Sequence, residues 1–70
     1  MGAREQAVIN GLVAQRTQWL ERKQLLERNL KATTDKGARS EIQAAINTLQ
    51  REIPALERRI ERLRAEVDDR

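Results

Sequence analysis

Four arginines in the C-terminal half carry the strongest chemical signal in the chain: Arg51, Arg58, Arg59 and Arg62. At helical spacing Arg51, Arg58 and Arg62 share one face, and Arg59 lies beside them. A stripe of guanidinium groups on a helix is suited to contacting phosphates, so these four residues form a candidate nucleic-acid face. Acidic side chains interleave the stripe, and no aromatic side chain accompanies it to stack on bases. These two features favour a solvated mixed-charge surface instead.

The residue types that perform catalysis are nearly absent. The chain has no His and no Cys, which removes the common general bases, nucleophiles and transition-metal ligands. Ser40 is the only serine, and Asp68 and Asp69 stand at an exposed terminus without a pocket to exclude water. The three glycines form no phosphate-binding loop. We therefore expect a protein that is not an enzyme, with no catalytic, cofactor-binding or metal site.

The four arginines lie on a predicted helix in the C-terminal half of the chain, and this helix has one apolar stripe. Apolar residues recur at alternating intervals of four and three, which is the heptad spacing of a helix that packs against another helix. Ile or Val occupies one core position and mostly Leu the other. The stripe consists of Ile42, Ile46, Leu49, Ile53, Leu56, Ile60, Leu63 and Val67.

A second helix is predicted in the N-terminal half, with a turn between the two. Gly37 suits the end of a helix, and Ser40 with Gln43 fits a capping box at the start of the next one. The sequence thus predicts one hairpin over residues 1–70. Helix 1 covers about 3–35, the turn 36–40, and helix 2 about 41–68 with a bend near Pro54.

The N-terminal helix carries a weaker stripe that matches the first. Its members are Ile9, Leu12, Arg16, Trp19, Lys23, Leu26 and Leu30. In an antiparallel hairpin the residue numbers of facing positions have a constant sum. A sum of 72 pairs each of these seven positions with a position of the C-terminal stripe, from Leu30 with Ile42 to Ile9 with Leu63. The agreement predicts an all-α fold, an antiparallel two-helix coiled-coil hairpin.

Helix 1 has more apolar surface than a two-stranded seam requires. The surplus predicts a face for self-association or partner binding, formed by Val8, Ile9, Val13, Arg16, Trp19 and Leu20. We expect a homodimer of hairpins that forms a four-helix bundle. Docking on a different protein and a monomer with a few exposed apolar residues are the alternatives. Trp19 is interpreted first as a core residue and second as a binding hot spot.

Composition limits the remaining choices. The 70 residues suffice for one domain and include no Phe, no Tyr and one Trp, so the core is small. No apolar run approaches the length of a membrane span, no signal-peptide pattern is present, and we expect a cytoplasmic protein without membrane contact. The net charge is +3, with eleven Arg and three Lys. Because Arg pairs with carboxylates and phosphates alike, this composition does not distinguish protein from nucleic-acid partners.

Together these features predict a small protein-binding module that self-associates and acts as an adaptor or inhibitor of another protein. In size and architecture the chain resembles small phage- or plasmid-encoded helical hairpins that dimerise and inhibit or redirect a host protein, a likeness at the level of fold alone. One alternative is a helical bundle that binds nucleic acid through the Arg face. Another is a structural coiled-coil oligomerisation element.

Overall fold

Two long helices and a three-residue connection make up the computed structural model, which describes residues 2–68. Helix α1 covers Gly2–Ala32 and helix α2 covers Lys36–Asp68. The two pack against each other in a rod of 53 × 15 × 12 Å, and no strand occurs in the described range. The predicted all-helical two-helix hairpin is confirmed. Neither helix has an apolar stretch long enough to cross a membrane within residues 2–68.

The stripe of α2 lies where the heptad spacing predicts. Each of its eight positions is buried or half-buried, and the adjacent positions are mostly exposed. The buried residues of this helix are Ile46, Ile53, Leu56 and Ile60. Their side chains are removed from water only because α1 lies against them, so burial of this stripe holds the hairpin together.

The densest part of the core lies at the end of the hairpin away from the connection. Ile9 clusters there with Leu56 and Ile60, and five half-buried side chains pack around this cluster: Leu12, Val13, Trp19, Leu63 and Val67. Ile9 is the one described residue of α1 that is buried, and the rest of its stripe is half-buried. Arg16 and Lys23 occupy two of these positions, where their aliphatic stems can cover the seam while the charges reach its edge.

The connection lies earlier than the sequence predicts. It comprises residues 33–35, so the predicted turn at 36–40 and the predicted helix ends at 35 and 41 are wrong. Gly37 does not end α1; it lies in the first turn of α2 without a positive φ. The N-cap is Asp35, whose Oδ2 accepts a hydrogen bond of 2.9 Å from the Ala38 N–H. A carboxylate at this position satisfies a free amide of the first turn, so α2 begins before Ser40.

The other side of the connection is closed by Arg39. Its Nη1 donates to the carbonyl oxygens of Leu30 at 2.8 Å and Thr33 at 2.9 Å. The Thr33 hydroxyl donates to the Asn29 carbonyl at 2.6 Å. The last carbonyls of a helix have no partner within it, and a cation there also complements the helix dipole. Arg39 therefore ends α1 and ties it to the first turn of α2.

Helix α2 continues through Pro54, as the unbroken heptad predicts. Pro54 is exposed and lies outside the stripe. Proline has no N–H to donate to the carbonyl four residues earlier, which belongs to Gln50. Gln50 is also exposed, so water can replace the missing donor and the seam is not disturbed.

The revised cap gives a direct test. We expect Asp35→Ala to lower the free energy of unfolding by about 1 kcal/mol, because the Ala38 amide loses its acceptor. Ser40→Ala is the matched control: Ser40 lies inside α2, so its loss leaves stability unchanged or slightly raised. Urea denaturation followed by circular dichroism measures both. A larger loss for Ser40→Ala than for Asp35→Ala would contradict the cap assignment.

Candidate interaction surfaces

The predicted interaction face of helix 1 contains one residue that belongs to the core. Ile9 is 1% exposed and clusters with Leu56 and Ile60, so its assignment to an interaction face is wrong. Its neighbour Val8 is 48% exposed. The heptad stripe already marks Ile9 as a seam residue, and in the structure it packs against the two buried residues of α2 at that level.

Of the remaining residues of the predicted face, Arg16 and Trp19 are seam positions, and the others lie on opposite sides of the seam. Val8 directly precedes the seam residue Ile9, whereas Leu20 directly follows the seam residue Trp19. At roughly 100° per residue, one step backward and one step forward leave the seam in opposite directions. Leu20 is 42% exposed and Val13 is half-buried on the same side. Helix α1 therefore has two apolar edges rather than one face.

The edge that contains Val8 forms a groove between the two helices. Two consecutive hollows of about 120 and 250 Å³ run along it. Helix α1 contributes Glu5, Val8, Leu12, Gln15 and Trp19, and α2 contributes Glu52, Ala55, Leu56, Arg59, Leu63, Glu66 and Val67. We call this the Trp19 groove. Leu12 and Trp19 of its floor are predicted seam positions, whereas nothing in the heptad pattern predicts that the rim residues of α2 leave the groove open.

Trp19 lies between the core and the groove, which agrees with its interpretation as a core residue and leaves the hot-spot interpretation a prediction. One part of the ring packs against the cluster of Ile9, Leu56 and Ile60, and the half-exposed remainder lines the groove beside Ala55. Its indole N–H makes no hydrogen bond to any side chain or carbonyl within residues 2–68. An amphipathic ring at the mouth of a groove, with a free donor, is typical of a binding anchor.

Arg16 is half-buried at the seam and does not belong to either edge. The four arginines of the candidate nucleic-acid face, in contrast, are all fully exposed on α2. None of these four makes an ion pair or a hydrogen bond with another described residue. A depression of about 540 Å³ lies next to them, over Ala44, Asn47, Thr48, Gln50 and Arg51. All of its walls come from a single helix, so this Arg face is convex and encloses nothing.

The described residues offer little for chemistry. No three acids lie close enough to hold a metal ion within residues 2–68, and no charged or polar side chain of this range is buried. The hollows of the Trp19 groove are smaller than the roughly 300–1,000 Å³ of small-molecule sites. Comparisons of the chain with protein-family models, curated proteins and solved structures find no match.

The division between core and edge can be measured at two adjacent residues. We expect Ile9→Ala to lower the free energy of unfolding by about 2–5 kcal/mol, because it opens a cavity against Leu56 and Ile60. Val8→Ala removes a side chain that is half in water and should cost less than about 1 kcal/mol. Thermal or urea denaturation compares the two variants. Equal losses would mean that Ile9 is not the core residue.

Proposed function

We propose that this chain is a non-catalytic protein-binding module of the cytoplasm, which self-associates and acts as an adaptor or inhibitor of another protein. The absence of Cys fits a reducing compartment, since the fold uses no disulfide. The observation that carries the proposal is the Trp19 groove, an open apolar edge on a rod whose own core is small. A regulator of a host protein, of the kind that phages and plasmids encode, is one form that such a module takes.

The shape of the Trp19 groove supports a helical ligand. From Glu5 to Trp19 it extends over 15 residues of α1, and the 14 steps between them correspond to roughly 21 Å at the rise of an α-helix. Its apolar floor is formed at helical intervals by Val8, Leu12 and Trp19. A partner helix with apolar residues at similar intervals can place them along this floor, which is the helix-in-groove mode of recognition.

The rim charges support a basic flank on that partner. Glu52 and Glu66 line the groove from α2, against the single cation Arg59. Both glutamates are exposed and make no ion pair within residues 2–68. Lys or Arg side chains beside the apolar face of the partner would meet them across the rim. Complementary rim charges raise the association rate and select among partners more than they raise affinity.

Nucleic-acid binding through the Arg face has weaker support. Arg51, Arg58 and Arg62 are exposed and unpaired, which keeps them available to phosphates. They lie on a convex single-helix surface that also contains Glu57 and Glu61, so the field at the phosphate backbone is reduced. The protein partner is therefore the proposal, and nucleic acid is an outcome that the experiment distinguishes.

The experiment is affinity capture from a lysate of the native host, with and without nuclease treatment, quantified by mass spectrometry. The test variant carries Glu52→Lys with Glu66→Lys, which reverses the rim charge of the groove. The control carries Glu27→Lys with Glu41→Lys, two exposed glutamates near the connection. We expect one protein captured in stoichiometric amounts by the native chain and the control. Its affinity for the groove variant should be at least about tenfold lower, because its cations then face lysines.

Two results would count against the proposal. If nuclease treatment removes all captured material, the Arg face is the binding site and the module recognises nucleic acid, with an affinity that falls steeply with salt. If a stoichiometric protein is captured equally by the native chain and the groove variant, the partner does not use the Trp19 groove. Circular dichroism of all three proteins verifies that the charge reversals leave the hairpin intact.

A further inference from the structure

The outer surface of α1 is unusually poor in charge. From Gln6 to Leu20 the single charged residue is Arg16, which lies at the seam, in a chain of which 36% is charged. We define the outer strip by six residues of this segment that face away from the Trp19 groove: Ala7, Asn10, Val13, Ala14, Thr17 and Leu20. Five of them are exposed and Val13 is half-buried. Depletion of charge is the compositional mark of the central part of a protein interface.

The hairpin itself does not explain this strip. Gly11 borders it inside the helix, where a glycine weakens the helix relative to alanine. Its φ is not positive, and a Cβ added to it would meet nothing within 4 Å. Neither the backbone nor the packing of the monomer therefore requires a glycine there. The small residues Ala7 and Ala14 beside it leave room for another helix to approach closely.

The strip is complementary to itself. Consider two copies of α1 that run antiparallel, with facing residues whose numbers add up to 27. Leu20 of one copy then lies opposite Ala7 of the other. Val13 then lies opposite Ala14, and Asn10 opposite Thr17. The six residues form a closed set under this pairing, each larger apolar side chain meets a small one, and the two polar residues meet each other. A two-fold axis requires such an isologous surface.

The area of the chain is consistent with a second copy. Its accessible surface is 5529 Å², whereas a compact monomer of this mass exposes about 4,500 Å². The rod shape of the hairpin raises its area, and the excess of about 1,000 Å² leaves room for an interface of the roughly 800 Å² that each partner buries in a stable complex. Parallel self-pairing through the outer face of α2 would instead bring Arg51, Arg58 and Arg62 together with their copies.

From these observations we infer that the occupant of the outer strip is a second copy of this chain, with α1 packed antiparallel on α1 about an axis between Val13 and Ala14. The inference deepens the self-association in the proposed function and rests on it. It also moves the contact away from Val8 and Trp19, which remain in the groove on the other side of α1. The dimer is a four-helix bundle with the two copies of α2 outside.

Sedimentation velocity tests the surface. We expect the native chain to sediment as a dimer at micromolar concentration. Ala14→Glu with Thr17→Glu places charges at the centre of the strip and should shift the chain to monomer, with a loss of affinity of at least about a hundredfold. The control is Gln18→Glu with Asn29→Glu, which adds the same charge to exposed positions of the same helix outside the strip and outside the groove. Circular dichroism verifies helix content. A native monomer, or a strip variant that remains dimeric, would overturn the inference.

Disulfide trapping tests the register, since the chain has no native Cys. Chains that carry Ala7→Cys, mixed with chains that carry Leu20→Cys, should crosslink under mild oxidation. Either variant alone should not, because the two copies of one position then lie about 20 Å apart along the axis. Crosslinking of each variant with itself would indicate a parallel dimer and overturn the register. If the native chain is a monomer but still captures its protein partner through the Trp19 groove, this inference fails and the partner binding of the proposed function stands.

Discussion

Burial of the apolar stripe of α2 against α1 is the interaction on which the rest of the structure depends. The chain has no disulfide, and its described part has no buried polar network, so the seam and the connection must hold the hairpin. The two ends of the rod are fixed by different forces. At the far end Ile9 packs into a cluster with Leu56 and Ile60. At the connection, Asp35 and Arg39 satisfy the helix termini with hydrogen bonds.

The two helices differ in how their apolar residues are distributed around the helix, and this difference determines which apolar surface stays exposed. Helix α2 concentrates its apolar residues on one side, and the opposite side carries charge. Helix α1 distributes apolar residues around its circumference, with Val8, Leu20 and Leu25 exposed. One neighbouring helix buries only part of the apolar surface of such a helix. The apolar surface that remains exposed is therefore on α1 and at its edges with α2.

Periodicity predicted the fold well, because a heptad leaves no choice of which helix face is buried. The position of the connection was predicted poorly because several capping signals compete within eight residues. Gly37 and Ser40 are both acceptable cap residues, but Asp35 reaches the Ala38 amide and Arg39 reaches the Leu30 carbonyl, so α2 begins five residues early. The Trp19 groove was not predicted, because seam positions alone do not tell how far the flanking side chains cover the seam. That depends on Ala55, which is too small to close it.

The placement on α1 of the two surfaces that we propose for binding bears on how such a module would work. Gln15 lines the groove, and Thr17 belongs to the strip two residues later, so the surfaces are separated by roughly half a turn around the helix axis. A second copy on the strip does not cover the groove. In the antiparallel pair each hairpin would direct its groove outward, and the dimer would hold two partner helices at once. Two linked sites raise the effective concentration for a second binding event, so modest affinity at each shallow groove is sufficient for an adaptor or inhibitor that engages a dimeric or repetitive target.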